Sequence, residues 1–307
     1  MDIGLIGAGN MARAMARGWG GPVLCFDPVA ERARQLAEET GGEALGSGAE
    51  LAERAELVIL CHKPAQLEEV ALEVAPHARA VASILAAVPL SKLKLAYPDR
   101  PVYRFLPSLP VEVRRGAVVQ AADPTGDVGD DVRGEADLTG DGVGGEADPI
   151  GARARAAFDT QVRELFAELG TLVVLDDSLV DVAMGLMSCA PAYVALVAEA
   201  QVDAGVRRGI PPAQASALVT ETLAGTAELL RRRDYDTLAV RREVTSPGGT
   251  TARGLAALER GGVRAAFSDA LDAVLGSGKR SASGGPGPGP GSGPCPGLGP
   301  GPDGERR

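Results

Sequence analysis

The chain has 307 residues, with 31 basic and 41 acidic side chains and a net charge of −10, which argues against nucleic acid as a partner. Two histidines, and four cysteines without C-x-x-C spacing, predict free thiols and no metal site. The first strand opens at residue 2, leaving no room for a signal peptide, and no apolar run reaches membrane-helix length, so a cytoplasmic protein with no membrane partner is expected.

Asp2-Ile3-Gly4-Leu5-Ile6 predicts a strand, followed at once by Gly7-Ala8-Gly9-Asn10-Met11-Ala12 and a helical pattern to Trp19. Strand, glycine turn and helix is the context in which G-x-G-x-x-G/A binds a dinucleotide. Gly7 allows the turn, Gly9 lets a pyrophosphate approach the backbone, and small Ala12 packs helix against strand. A second strand, 23–26, ends in Asp27, where the fingerprint places the acid that accepts from a ribose 2′-hydroxyl. Asp27 points to NAD. Arg32 and Arg34 point to NADP unless they form a solvated helix face, and the choice stays open.

The pattern continues with a helix over 30–40, a short strand near 43–45, and a buried strand over 57–61 ending at His62-Lys63-Pro64. A helix over 65–74 and strands over 80–85, 102–106 and 116–121 follow, then a helix over about 152–169 and a strand over 171–175. This alternation predicts an α/β fold with a parallel-rich sheet covered by helices. Residues 123–151, rich in Gly and Asp, predict a disordered acidic insertion, and the Gly/Pro/Ser stretch from 276 a disordered tail. From 178 to 232 Ala, Leu and Val recur at helical spacing, with Pro191 and Pro211-Pro212 as punctuation, and two more helices reach about 275. The chain thus divides into a Rossmann dinucleotide-binding domain (1–176), a helical dimerisation and substrate domain (177–275) and a tail (276–307). A helical domain this rich in alanine has a thin core of its own, which predicts a homodimer or higher homo-oligomer.

Near the end stands Val244-Thr245-Ser246-Pro247-Gly248-Gly249-Thr250-Thr251, which breaks one helical pattern and opens another at about Thr250. Proline stops the first helix and two glycines let the backbone fold tightly and a ligand come close. The amides of Gly248, Gly249, Thr250 and Thr251 then sit at a helix start, where the dipole favours a carboxylate. An ordinary Pro-Gly turn with a threonine cap is the local alternative.

Together, and at this separation, Gly-Ala-Gly-Asn-Met and Val-Thr-Ser-Pro-Gly-Gly-Thr-Thr resemble pyrroline-5-carboxylate reductase. Lys63-Pro64, Arg104-Phe105-Leu106-Pro107-Ser108, Ala190-Pro191-Ala192-Tyr193 and Gly254-Leu255-Ala256-Ala257-Leu258-Glu259 extend the likeness over most of 1–122 and 152–275. It implies a Rossmann domain followed by an all-α dimerisation domain, and reduction of the cyclic imine 1-pyrroline-5-carboxylate to L-proline with NADPH or NADH. It also implies that the Pro-Gly-Gly turn holds substrate across the dimer interface. Glycine turn, strand ends and likeness together give Gly7, Ala8, Gly9, Asn10, Met11, Asp27, His62, Lys63, Pro64 and Ser108 as expected cofactor contacts. Gly248, Gly249, Thr250 and Thr251 are expected on the substrate, with Thr251 the catalytic residue. Ser188 and Ala190 replace two family glycines beside the presumed pocket, Ser108 replaces an asparagine, and His62 replaces a small apolar residue.

Hydride addition to an iminium requires no strong base, which suits a chain with two histidines, His62 and His77. Thr251 would hydrogen-bond the imine nitrogen, while His62 suits cofactor contact better than proton transfer. Two other readings remain: an imine or hydroxyacid reductase with a reshaped pocket, and a non-catalytic NAD(P)-binding regulatory protein.

Overall fold

The computed structural model describes residues 1–123 and 149–276; the expectations for most of the acidic insertion, for the Gly/Pro tail and for Cys295 lie outside them. Eight strands form one sheet: β1 (Ile3–Ile6), β2 (Leu24–Phe26), β3 (Glu43–Ala44), β4 (Leu57–Leu60), β5 (Val81–Ser83), β6 (Val102–Pro107), β7 (Gly116–Ala122) and β8 (Gly170–Asp176). Their order is β3-β2-β1-β4-β5-β6-β7-β8. The chain therefore reverses direction across the sheet between β1 and β4, where open α/β sheets take their ligands. β1 and β4 are buried at every residue, as parallel strands covered on both faces must be.

The alternation of side chains along each strand divides the interior into two cores. Ile3, Leu5, Leu57 and Ile59 share one core with helices α1 (Asn10–Trp19), α2 (Ala30–Thr40) and α6 (Pro149–Ala167). Val58, Leu60 and Val81 share the other with α3 (Gly48–Arg54), α4 (Leu67–Val74) and α5 (Leu90–Ala96). In the first core Phe105 stacks on Phe166 with ring centroids 3.8 Å apart, and Trp19 meets Phe166 edge-on at 6.0 Å. The Trp19 Nε1–H donates to the Leu165 carbonyl at 2.8 Å, so the indole is buried with its polar atom satisfied.

Three features depart from the sequence expectation. The parallel run breaks at β6 and β7, which pair antiparallel, because residues 108–115 are too few for the crossover of a dozen or more residues that parallel neighbours require. Helix α6 begins at Pro149, so residues 149–151, expected within the insertion, belong to it. Helices α3 and α5 had no counterpart in the reading. For α3 the signal was present: the Ser47 hydroxyl accepts from the Glu50 amide at 3.1 Å and the Glu50 carboxylate accepts from Gly46 N–H at 3.0 Å, a near capping box.

After Asp176 the chain is helical: α7 (Asp177–Met187), α8 (Ala190–Val206), α9 (Pro212–Arg232), α10 (Thr237–Glu243), α11 (Thr250–Arg260) and α12 (Val263–Val274). α7 lies on the sheet, where Val180, Ala183 and Met187 join Leu106, Val119 and Ala121 in a third core. It also meets α12, so closely that a Cβ on Gly185 would stand 2.3 Å from Leu271 Cδ1. By contrast α8, α11 and α12 bury no residue within one chain, and Leu196, Leu218, Leu258 and Phe267 are all more than half exposed. Helices apolar on faces that the chain leaves bare require a partner surface.

The stretch Asp177–Val206 is, by length and composition, apolar enough to cross a membrane, which corrects the expectation that none would be. Counting unbroken apolar runs missed it because a few acidic residues interrupt it. Two of these, Asp177 and Asp181, pair with the sheet residue Arg104.

Candidate active site

Gly7 turns the chain out of β1 at φ +103°, and a Cβ there would meet the Cys61 carbonyl carbon and oxygen at 2.9 Å; only glycine fits between the two strand ends. Gly9 faces open space, with no atom within 4 Å of where its Cβ would be. No side chain caps the start of α1, so its first-turn amides are unpaired and ready for an anion. Ala12 is 1% exposed against the sheet. This cradle fits a dinucleotide pyrophosphate. A cleft beside it is lined by Ala8, Gly9, Asn10, Arg13, Arg17 and Arg32, among others.

Two expected cofactor contacts are differently employed. The Asp27 carboxylate accepts from Ala8 N–H at 2.9 Å and from Val29 N–H at 2.8 Å, one oxygen each. It therefore braces the glycine turn and the start of α2. The Ser108 hydroxyl donates to the Ala117 carbonyl at 3.0 Å and accepts from the Ala117 amide at 2.8 Å. It fastens β6 to β7, and its proton is not available to a nicotinamide amide. Both arrangements have one cause: a buried backbone polar group takes the nearest side-chain partner.

His62, Lys63 and Pro64 sit at the end of β4, opposite the glycine turn, with Lys63 exposed and Pro64 opening a 3₁₀ turn (Pro64–Gln66). His62 Nδ1 lies 2.9 Å from the Lys63 carbonyl. A carbonyl only accepts, so Nδ1 carries the proton and neutral His62 keeps its lone pair on Nε2. That Nε2 is buried with no partner among the described residues. Burial holds the ring pKa below its ordinary value of 6.5, the hydrogen bond to Lys63 opposing. The sign follows: the unfolded chain binds the proton more readily, so the His62 contribution to stability is complete above about pH 6.5 and drains away as pH falls toward the lowered folded value. His62→Gln should flatten the fall in urea-unfolding stability between pH 7.5 and 5.5; an unchanged fall would mean the ring is solvated. Burial pushes the Cys25 thiol up to about 11 and raises Cys61 further, which fits inert core thiols.

The second part of the site is the turn before α11. Gly248 adopts φ +69° and faces open space. Gly249 is the N-cap residue and supplies no side chain. The Gly249 amide donates to the Ser246 carbonyl at 3.0 Å, so it is already committed, contrary to its expected role on the substrate. Among the described residues no protein acceptor faces the amides of Thr250, Thr251 and Ala252. Arg253 Nη1 donates to the Gly248 carbonyl at 2.8 Å and fixes the bend. Thr245, which sequence reasoning did not single out, has a buried hydroxyl beside this bend with no partner among the described residues.

Within one chain these two parts are apart: no residue of α10, α11 or α12 lines the cleft at the glycine turn. On β6, Arg104 is 1% exposed. Its Nη1 meets Asp177 Oδ1 at 2.7 Å and its Nη2 meets Asp181 Oδ1 at 2.5 Å. The other Asp177 oxygen accepts from Leu90 N–H at 2.8 Å. The Ser188 hydroxyl, absent from the family pattern, donates to the Pro107 carbonyl at 3.3 Å, so it ties the end of α7 to the end of β6.

Residues 177–280 match the family model described as pyrroline-5-carboxylate reductase dimerisation, and residues 2–87 that described as NADP oxidoreductase, coenzyme F420-dependent. The pyrroline-5-carboxylate reductase of Thermus thermophilus is 35% identical over 282 residues, covering 89% of this chain and 96% of its own. That of Synechocystis is 31% identical, with the same coverage. Among solved structures, 1-pyrroline-5-carboxylate reductase from Streptococcus pyogenes superposes with a TM-score of 0.71 at 27% identity, covering 90% of this chain and 97% of its own. The NADP-bound Plasmodium falciparum pyrroline carboxylate reductase shares the fold, with a TM-score of 0.72 at 21% identity and coverage of 90% and 96%. With 35% identity over 89% of its length and a helical half that matches the dimerisation model, the chain belongs to the pyrroline-5-carboxylate reductase family.

Proposed function

We propose that the chain reduces 1-pyrroline-5-carboxylate to L-proline with NAD(P)H. The observation that carries this reading is the bare start of α11, with free amides behind an open Gly248, in a chain whose α1, likewise without a side-chain cap, opens on the dinucleotide cradle. Bound reduced nicotinamide supplies a hydride from its C4. The residues of this chain do the rest. The amides of Thr250 and Thr251 hold the substrate carboxylate at the positive end of α11. The Thr251 hydroxyl donates to the ring nitrogen as it gains its electron pair. Gly7, Gly9 and the start of α1 hold the pyrophosphate, and His62 and Lys63 border the nicotinamide half. Fixing both reactants in this way supplies on the order of 7–11 kcal/mol toward the barrier.

The apolar faces of α8, α9, α11 and α12 belong against a second copy, which brings the turn of one protomer to the cradle of its partner. The cysteines among the described residues are all free thiols, which fits a cytoplasmic setting. The test is oxidation of NADPH and NADH with a panel of cyclic imines. Turnover with pyrroline-5-carboxylate is the expected result. Activity confined to other imines, or coenzyme binding without turnover, would overturn the assignment.

A further inference from the structure

The two most exposed large apolar side chains among the described residues stand on neighbouring helices of the sheet half. Leu72 on α4 is 82% exposed and Leu95 on α5 is 83% exposed. With Ala75 and Ala96 they border an open groove of about 570 Å³ between the two helices. α4 and α5 pack on the sheet through Leu67, Ala71, Val74, Leu90 and Leu93, so neither exposed leucine is needed for that core. One exposed leucine requires no explanation; two on one groove form a contact surface.

The charges at its ends specify the occupant. Lys92, near the start of α5, lies 3.9 Å from Glu68, near the start of α4. Arg100, beyond the end of α5, donates from Nε to the carbonyl of Ala78, beyond the end of α4, at 2.6 Å. The helices therefore run side by side in one direction, with Glu68 at the head of the groove and Arg100 at its foot. The Glu68 side chain is 87% exposed, and its distance to Lys92 is too long for a hydrogen bond. Arg100 gives Nη1 to the Pro98 carbonyl at 3.0 Å, which leaves Nη2 without an acceptor among the described residues.

We propose that two copies of the chain pair through this groove, about a two-fold axis that crosses it beside Leu72. Leu72 and Leu95 of one copy then meet the same residues of the other, and Glu68 of each faces Arg100 of the other. The axis falls there because Leu72 lies near the middle of the stretch between Glu68 and Ala78, whose carbonyl holds Arg100. An isologous contact needs a surface that complements itself. An apolar strip with opposite charges at its two ends meets that condition. The groove is separate from the apolar faces of α8, α9, α11 and α12, so this pairing adds to theirs.

The test is sedimentation velocity on the full chain, at protein concentrations rising through the micromolar range where small interfaces form. Wild-type mass should rise about twofold above its dilute value. Leu72→Glu and Leu95→Glu, both at solvent-facing positions, should fold as wild type does and weaken the association about 10- to 100-fold. Glu68→Arg and Arg100→Glu should each weaken it by setting like charges face to face. An equal mixture of these last two should associate as wild type does, because one protein is basic at both ends of the groove and the other acidic at both. A wild-type mass that stays at its dilute value overturns the inference and leaves the groove to another partner. Unweakened association of both leucine variants overturns it too, as does a mixture that stays as small as its components while both melt as wild type does.

Discussion

Thr251→Ala is expected to lower kcat for imine reduction by about 10²–10³-fold, the typical cost of losing one preorganised donor to developing charge, with KM for the imine nearly unchanged. The split follows from which atoms are lost. The Thr251 amide survives in the variant, and with it the proposed anchor for the carboxylate at the start of α11. Only the hydroxyl disappears, and it is needed chiefly when the ring nitrogen gains electron density. No helix cap depends on that hydroxyl, since Gly249 is the N-cap and no side chain bonds to the first turn. Alanine is also a better helix former than threonine, so the melting temperature should hold or rise slightly. Thr251→Ser should retain most activity. Steady-state kinetics on the three proteins decides the matter: an alanine variant as fast as wild type removes Thr251 from the chemistry.

The largest loss of stability is expected from Arg104→Met, about 3 kcal/mol in denaturant unfolding. The arginine is 1% exposed, and its two forks hold Asp177 and Asp181. Methionine fills much of the volume but leaves two carboxylates facing each other across an apolar junction. The expected cost lies at the low end for a broken buried pair because the Asp181 side chain is 43% exposed and can be rehydrated. Arg104→Lys should be nearly as damaging, since one ammonium cannot span two carboxylates as a guanidinium does. Arg104→Met with Asp181→Asn should recover part of the loss, giving a coupling energy between neighbours in a double-mutant cycle. Additive losses would show that Arg104 acts by packing and not through its charge.

What could be read from the residues and what could not divide along the range of the interactions. The glycine turn was legible because its requirements are local: a positive φ at Gly7 and a small residue at Ala12, next to a run of apolar residues. The start of α11 at Thr250 was legible for the same reason, with Pro247 in the turn that follows α10 and Gly248 in the left-handed region. Arg104 could be noticed only as part of a motif, because its partners lie 73 and 77 residues further along the chain. Asp27 and Ser108 occupy the expected positions but serve their neighbours' backbones, and which way a side chain turns is decided by the register of adjacent strands. Ser108 faces Ala117 only because β7 runs antiparallel to β6, a reversal marked in the sequence by nothing but the shortness of the 108–115 link. The capping pair Ser47 and Glu50 at the start of α3 is equally local.

The contact of Gly185 with Leu271 has a mechanical corollary. With no side chain at 185, α12 presses against α7, while Arg104 clamps the opposite end of α7 to the sheet. Nucleotide sheet, α7 and α12 should therefore travel as one rigid spar during turnover. The freedom to open and reclose then collects at Ser188 and Cys189, the joint before α8, where a single hydroxyl bond to Pro107 acts as a latch. Amide exchange at that joint, faster in Ser188→Gly than in wild type, is where such a fulcrum would reveal itself.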